Sequence, residues 1–440
     1  MKFSKILMML SLVLYACSSD SVVFEEDIKE TVSVNQDLPN IMLIIADDMG
    51  LDATPGYDIG TIKPYMPNLE GMINSGLRFN NVWSSPVCTP TRAGIITGKY
   101  GFRTNVTQVR DNLATSETSI QKFLDDKTAN AYNHAIIGKW HLSNNSSHPG
   151  DLGINHFTGF LSGGVPSYFN WNITENAVTS SSLEYTTTKF TNLAIEWIDA
   201  QEKPWFLWLA YNAPHTPFHL PPNNLHHQGF LPDDEASISR NPLPYYMAML
   251  EAMDTELGRL LASMTTAQKD NTIFIFIGDN GTPNQVAQEY SGMQAKGTIY
   301  QGGVNVPMVV SGKDVTRINE IEDALINTTD LFATIAEIAK TGTSEIHDSK
   351  SFAPLLHTAN RAHRSYVYTE LGKTNGSDEF AIRNASHKYM IFNDGSQGLY
   401  DLSGTYIEGD NLLDPQGFPI NATDIDVKNE LVEALNQLME

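Results

Sequence analysis

The chain has 440 residues, 41% of them hydrophobic and 10% aromatic. That is enough to bury a substantial core, and it is longer than one ordinary domain. Its 28 basic and 51 acidic residues leave a net charge of −23. Such a surface excludes a nucleic-acid binder, which needs a basic face. It also opposes an anionic ligand at long range, so any anion site must concentrate positive charge locally. Salt screens the wider field beyond about 10 Å at 0.1 M.

The first element is an apolar run from Ile6 to Ala16, preceded by Lys2 and Lys5. It is too short to span a bilayer and fits the apolar stretch of an export signal. It ends Leu14-Tyr15-Ala16-Cys17, which resembles a bacterial lipobox. In a lipobox the signal is removed before the cysteine and the cysteine is lipidated. The expected division is therefore a signal over 1–16 and a lipidated tether over 17–38. The tether's Ser, Asp and Glu content predicts disorder. A lipid on Cys17 would hold the exported protein to a membrane of the bacterial cell envelope.

Asn40 to Ala46 is a continuous apolar run that reads as a central strand, buried on both faces, and it ends in Asp47-Asp48-Met49-Gly50. Cys88 lies in Pro86-Val87-Cys88-Thr89-Pro90-Thr91-Arg92. Pro90 is a favoured first helical residue, so a helix from about Pro90 to Ile96 is predicted with its N-terminus at the cysteine. Ala135-Ile136-Ile137 leads into Gly138-Lys139-Trp140-His141. Phe190, Leu193, Ala194, Trp197 and Ile198 form a helical stripe. The strand Pro204 to Ala210 runs to Ala213-Pro214-His215. A second stripe joins Tyr246, Leu250, Met253, Leu257, Leu260 and Leu261. The run Asn271 to Ile277 ends in Gly278-Asp279-Asn280-Gly281, and Val306 to Val310 follows Lys296-Gly297 and Gly302-Gly303. Strands alternating with helices predict an α/β fold with a mostly parallel sheet flanked by helices. Ligands in such folds sit beyond the carboxyl ends of the strands, and each polar cluster follows a strand.

Asp47, Asp48, Asp279 and Asn280 are oxygen donors from two strand ends, a set suited to a hard divalent cation such as Ca²⁺ or Mg²⁺. Adjacent carboxylates buried without a cation would repel one another. Lys139 and Lys296 offer positive charge, and His141 and His215 offer proton transfer near neutrality.

Cys88-x-Pro90-x-Arg92, Gly138-Lys139-Trp140-His141-Leu142, Ala213-Pro214-His215-Thr216-Pro217 and Lys296-Gly297-Thr298-Ile299-Tyr300-Gln301-Gly302-Gly303 occur in that order. Together they resemble the motifs of type I sulfatases, in the alkaline phosphatase superfamily, over roughly residues 39 to 412. The resemblance implies that Cys88 is oxidised to Cα-formylglycine by a sulfatase-maturating enzyme. The hydrated aldehyde attacks sulfur with one hydroxyl and expels sulfate with the other, so one hard step becomes two easier ones. It implies one divalent cation, calcium first and magnesium next, held by Asp47, Asp48, Asp279 and Asn280 and touching residue 88. It implies that Lys139 and Lys296 bind sulfate oxygens and that Arg92 braces the formylglycine. His141 would deprotonate the formylglycine hydroxyl, and His215 would protonate the leaving oxygen. With Cys17 lipidated and Cys88 oxidised, no cysteine remains for a disulfide. Three departures stand in or beside these motifs, the mildest being Thr91 in place of the more frequent serine. Gln301 replaces a frequent glutamate and Asn305 a common arginine, both expected to alter substrate contacts.

After about Thr341 the strand-like runs shorten: Arg364 to Tyr368, Phe380 to Ile382, Tyr389 to Phe392 and Gly398 to Leu402. A last helix carries Val427, Leu431, Leu435 and Leu438 on one face. This resembles the family's small C-terminal domain, an antiparallel sheet with a helix, and divides the chain into a catalytic unit over 39–341 and a small unit over 342–440. Tyr168, Trp171, His219, His226 and His227 fall in predicted loops beyond the catalytic strands, where aromatic rings would stack on sugars; Arg383 is a weaker candidate. The expected substrate is a sulfated carbohydrate. Two other readings stand beside it: a phosphatase or phosphodiesterase of the same superfamily, and an inactive anchored glycan-binding protein.

Overall fold

Strand Asn40–Ala46 shows how the sequence builds the centre of the protein. Its odd residues Ile41, Leu43 and Ile45 pack into one core, and its even residues Met42, Ile44 and Ala46 into another. A strand buried on both faces needs a helical layer on each side. Helices Cys88–Thr97, Ile120–Thr128 and Asp330–Ile338 cover the first face. Helices Pro67–Asn74, Thr186–Asp199 and Leu243–Ser263 cover the second. Each fully buried Ile or Leu contributes roughly 1.5–3 kcal/mol of transfer free energy, so these runs fix the centre of the sheet.

The computed structural model describes residues 38–290, 293–373, 377–414 and 421–440. The export signal and the lipid site at Cys17 lie outside the described residues, as does the tether short of Leu38. The main sheet has ten strands, in the spatial order Glu320–Glu322, Gly76–Phe79, Met308–Gly312, Thr272–Gly278, Asn40–Ala46, Trp205–Ala210, Asn133–Lys139, Phe157–Phe160, Trp171–Glu175 and Val178–Ser182. The five from Thr272–Gly278 to Phe157–Phe160 are mutually parallel. The strand expected at Val306 to Val310 lies at Met308–Gly312 and runs antiparallel to Thr272–Gly278.

A second sheet of four antiparallel strands, Val367–Leu371, Glu379–Arg383, His387–Ile391 and Gln397–Asp401, packs against helix Ala422–Met439. This is the small α+β unit. Phe352, Leu355 and Leu356 pack into the first core of the larger body, where the Phe352 ring meets Phe79 edge-on at 5.3 Å. No helix among the described residues is long and apolar enough to cross a membrane.

Candidate active site

The carboxyl ends of the parallel strands converge on one cluster. Asp47-Asp48 follows strand Asn40–Ala46, and Asp279-Asn280 follows Thr272–Gly278. Lys139 is the last residue of Asn133–Lys139, with His141 two residues on. Register sets this geometry: Ala46 is level with Gly278, so the two acidic pairs leave the sheet side by side. The Asp48 amide donates to Asp279 Oδ1 at 3.1 Å. Gly138 precedes Lys139 at φ 111°, and a β-carbon there would meet the Ala210 carbonyl oxygen at 1.9 Å. Asp48 and His141 hold left-handed backbone conformations, φ 74° and 55°. Non-glycine residues pay about 1 kcal/mol or more for that. The Tyr246 hydroxyl fixes the first turn by donating to the Asp48 carbonyl at 2.9 Å. The His141 amide fixes the second by donating to the Leu161 carbonyl at 3.1 Å.

Cys88 opens helix Cys88–Thr97, with Val87 as an extended cap. The buried thiol sulfur lies 3.1 Å from His141 Nδ1. The helix begins two residues earlier than Pro90, so its positive end faces the sulfur directly. Arg92, one turn on, donates from Nε and Nη2 to Asp279 Oδ2 at 3.2 and 2.8 Å, and from Nη1 to the Lys139 carbonyl at 2.9 Å. Lys139 Nζ donates to Asp47 Oδ2 at 2.5 Å, and Lys296 Nζ to Asp48 Oδ2 at 2.6 Å. Asn280 Nδ2 donates to Asp48 Oδ1 at 2.8 Å. His215 Nδ1 faces the Thr216 carbonyl at 2.7 Å, while its Nε2 lies 3.8 Å from Asp48 Oδ2. All ten residues expected at the site are therefore in one cluster. The lysines expected on sulfate sit on Asp47 and Asp48.

Burial and the neighbouring Asp279 push the Asp47 carboxyl well above its ordinary range, even beside Lys139. Burial would raise Asp48 too, yet Lys296, His215 and Lys139 hold it well below that range. Burial pushes the Cys88 thiol up, so an unmodified cysteine here is protonated. Burial, Lys139 and Arg92 push His141 down to about 2, and burial with the two lysines brings His215 to about 4 despite Asp48. Both imidazoles are neutral near pH 7.

The donor set fits a hard cation. Asp47 Oδ1 and Asn280 Oδ1 are buried without a hydrogen-bond partner among the described residues, beside carboxylates of Asp48 and Asp279. Buried polar atoms are normally paired, and two orphan oxygens among carboxylates are a preformed set for an oxygen-liking metal. Asp47, Cys88 and Asp279 present ligand atoms within 4.8 Å of one another, as do Asp47, Asp48 and His215.

Other expectations change. Gln301 and Asn305 are fully buried and bond within the protein: Trp83 Nε1 donates to Gln301 Oε1 at 2.9 Å, and Asn305 Oδ1 accepts from the Val82 amide at 3.0 Å. Trp171 and Tyr168 are core residues. The Tyr168 hydroxyl lies within hydrogen-bond distance of the carbonyls of Asn212 and His215, at 2.8 and 2.6 Å, and so shapes the His215 turn. Arg383 is buried against backbone carbonyls in the small unit. His219 packs on Tyr168 at 4.1 Å, whereas His226 and His227 line an open cleft. Three features escaped the sequence reading. Gly163 and Gly164 touch the rings of His141 and His215. Asn212 is buried with its side-chain oxygen and nitrogen unpartnered among the described residues. Phe169 and Phe230 are exposed aromatics of that cleft. A Gly-Gly pair reads as an ordinary turn, and only proximity gives it meaning.

The sulfatase family model matches residues 39–341. The chain is 26% identical over 430 residues to an arylsulfatase of Klebsiella aerogenes, covering 74% of this chain and 91% of that protein. It is 26% identical over 362 residues to rat (Rattus norvegicus) arylsulfatase G, covering 68% of this chain and 65% of that protein. Among solved structures, Ps i-CgsB in complex with k-i-k-neocarrahexaose has a TM-score of 0.78 at 23% identity, covering 91% and 92% of the two chains. BT4656 in complex with its substrate D-glucosamine-2-N,6-O-disulfate has a TM-score of 0.72 at 18% identity, covering 91% and 98%. These two share the fold. The matched family, found over the same strand ends that assemble the cluster, places this chain in the sulfatase family of sulfuric ester hydrolases.

Proposed function

We propose that the protein hydrolyses a sulfate monoester carried on a carbohydrate, with Cys88 converted to formylglycine and one divalent cation bound beside it. The observation that carries this reading is the approach of Cys88 Sγ to His141 Nδ1, 3.1 Å, at a helix N-terminus among the carboxylates and cations of the site. Once formed, the formylglycine supplies a gem-diol, one hydroxyl to attack sulfur and the other to release sulfate. A cation held by Asp47, Asp48, Asp279 and Asn280 supplies Lewis-acid polarisation, and its all-oxygen ligand set favours calcium or magnesium over zinc.

The chain's own side chains do the rest. Neutral His141 holds Nδ1 3.1 Å from residue 88, where it can accept a proton, and Thr89 Oγ1 lies 3.3 Å from both ring nitrogens. The N-terminus of helix Cys88–Thr97 favours negative charge at that point. Arg92 holds Asp279 and the Lys139 carbonyl in one fork, which fixes two strand ends relative to the nucleophile. Lys139 and Lys296 are the cations positioned to meet sulfate oxygens. His215 keeps Nδ1 on the Thr216 carbonyl, which leaves Nε2 to carry a proton to the leaving oxygen. Its depressed pKa requires that proton to arrive with the anionic substrate, whose charge favours the imidazolium.

The carbohydrate part is supported by the saccharides that Ps i-CgsB and BT4656 carry in their structures. Export and a lipid on Cys17 would place the enzyme on the bacterial cell envelope, where sulfated glycans are met, and would leave Cys88 to a sulfatase-maturating enzyme. Mass spectrometry of the Cys88 peptide from active protein tests the mechanism. The expected peptide is lighter by about 18 Da, and Cys88→Ala loses all turnover. Full activity from protein that carries an unmodified Cys88 would overturn it.

A further inference from the structure

Beyond His215 the same loop continues through Leu220, Pro221 and Pro222 into an open cleft of about 720 Å³, a size usual for small-ligand sites, about 300–1,000 Å³. Phe169 forms one wall. It is 41% exposed and follows Tyr168, whose hydroxyl holds the His215 carbonyl. Phe230, 92% exposed, also lines the cleft. Asn223, His226, His227 and Asp233 line it as well. The loop is held in place from helix Leu243–Ser263. Glu251 accepts from the His227 amide and from Gln228 Nε2, both at 2.6 Å. Thr255 donates to the Leu225 carbonyl at 3.0 Å, and the Tyr245 hydroxyl to the Pro232 carbonyl at 2.6 Å. His226 Nε2 is buried within this loop and has no hydrogen-bond partner among the described residues.

We infer that this cleft is the subsite for an uncharged sugar ring next to the sulfated one, with Phe230 as its stacking face. The inference rests on the carbohydrate reading above. A pyranose offers a C–H face to an aromatic ring and hydroxyls to polar side chains. The cleft provides both, in a loop that the structure shows anchored rather than loose. A purely apolar ligand would strip water from the exposed Asn223 and Asp233 without replacing its hydrogen bonds. A second sulfate fits poorly, because no lysine or arginine lines the cleft among the described residues, whereas Asp233 does. The cleft is tied to the His215 turn through Phe169, which follows Tyr168, the residue whose hydroxyl meets the His215 carbonyl at 2.6 Å, and is assigned to the leaving-group side of the bond.

The test compares the full chain with Phe230→Ala and Phe230→Trp on para-nitrophenyl sulfate and on size-separated sulfated galactan and glycosaminoglycan oligosaccharides. Phe230 is exposed, so its loss leaves the fold intact. Phe230→Ala raises KM about tenfold on an oligosaccharide with an unsulfated neighbouring ring. Its kcat on that substrate and both constants on the aryl ester stay unchanged, and Phe230→Trp restores KM. Oligosaccharides sulfated on the neighbouring ring are turned over less efficiently by the parent enzyme. If the parent enzyme cleaves oligosaccharides and Phe230→Ala does so with the same KM, the subsite falls and the carbohydrate reading stands. If the parent enzyme cleaves the aryl ester and no oligosaccharide, the carbohydrate reading falls and takes the subsite with it.

Discussion

Gly163→Ala isolates the alignment of His141 with the nucleophile. A β-carbon at Gly163 would lie 2.7 Å from Cε1 and from Nε2 of the His141 ring. Ordinary contact begins near 3.4 Å, so the ring must retreat by about 0.7 Å. The His141 backbone cannot follow, because its amide is tied to the Leu161 carbonyl and its φ is 55°. The ring must therefore turn, and its Nδ1 leaves the 3.1 Å approach to residue 88. A misplacement of about 1 Å in a reacting geometry costs about 10²-fold, so a kcat loss of about 30–100-fold is expected. The yielding group is a side chain, so the melting temperature should fall little. Gly164→Ala is the internal comparison. Its β-carbon would lie 3.1 Å from Cε1 and 3.2 Å from Nδ1 of His215, an overlap of only about 0.3 Å, so a loss of a few-fold is expected. Gly159→Ala marks the opposite limit, since its β-carbon would meet the backbone oxygen of Gly138 at 1.7 Å and disrupt the sheet. Steady-state kinetics on an aryl sulfate, beside thermal melts, separate the three. A folded Gly163→Ala enzyme with kcat within about twofold of the parent would refute the reasoning.

His215→Ala should damage hydrolysis of a sulfated sugar about 10²–10⁴-fold and an activated aryl sulfate far less, because an aryl oxide leaves without a proton; equal losses in kcat on both, with chemistry rate-limiting, would show the acid misassigned. Exhaustive chelation should abolish activity and Ca²⁺ or Mg²⁺ should restore it, with Asp279→Asn lowering metal content; full activity in protein shown by elemental analysis to be metal-free removes the cation. Asp330→Ala tests the junction of the two units, where Asp330 accepts from Asn327 N, Lys350 N and Arg364 Nε at 2.8–3.0 Å. It strands Arg364 and should cost about 3–5 kcal/mol of stability in denaturant unfolding. Burial would raise the Asp330 carboxyl, yet Arg364 and His363 hold it below its ordinary value. Its contribution is thus complete above the unfolded carboxyl's pKa and is lost as pH falls through the lowered folded one. A parent-minus-variant stability gap that stays constant from neutral to strongly acid pH would contradict this.

The acidic pairs, Lys139, His141 and His215 were legible because each follows an apolar run whose direction in a parallel sheet is forced. A continuously apolar strand has to lie between two helical layers, and its polar terminus then points to the sheet edge. Chain order carried no comparable information about the loops. Trp171 and Tyr168 have the composition of a sugar platform, yet the Trp171 ring packs on Phe190, the Tyr168 ring packs against Tyr185, and the Tyr168 hydroxyl serves two carbonyls. Phe169, one residue along, faces outward. Gln301 and Asn305 read as pocket residues because they neighbour Lys296 in sequence. The short helix Gln301–Val304 turns them instead toward Trp83 and Val82. The left-handed turns at Asp48 and His141 left no mark in composition, since neither position is glycine or asparagine. They persist because Tyr246 and Leu161, distant in the chain, bond to their backbones.

The charges at the site also explain how an acidic protein would accept an anion. Arg92, Lys139 and Lys296 stand against Asp47, Asp48 and Asp279, three cations against three carboxylates. With all three carboxyls ionised the cluster is locally neutral inside a chain of net charge −23. On their own these residues give a sulfate ester no net attraction, and the lysines are engaged by carboxylates at 2.5–2.6 Å. A divalent cation on the oxygens of Asp47 and Asn280 would change the balance to two positive charges and compete with both lysines for their aspartates. The lysines would then be free to turn to the substrate. Under this arrangement the cation is needed to bind the anion as well as to activate it, and the site stays unattractive to anions until it is loaded. The surrounding negative field acts over longer distances, where salt screens it, while contacts within the buried cluster are screened far less. The local arrangement can therefore prevail over the global charge.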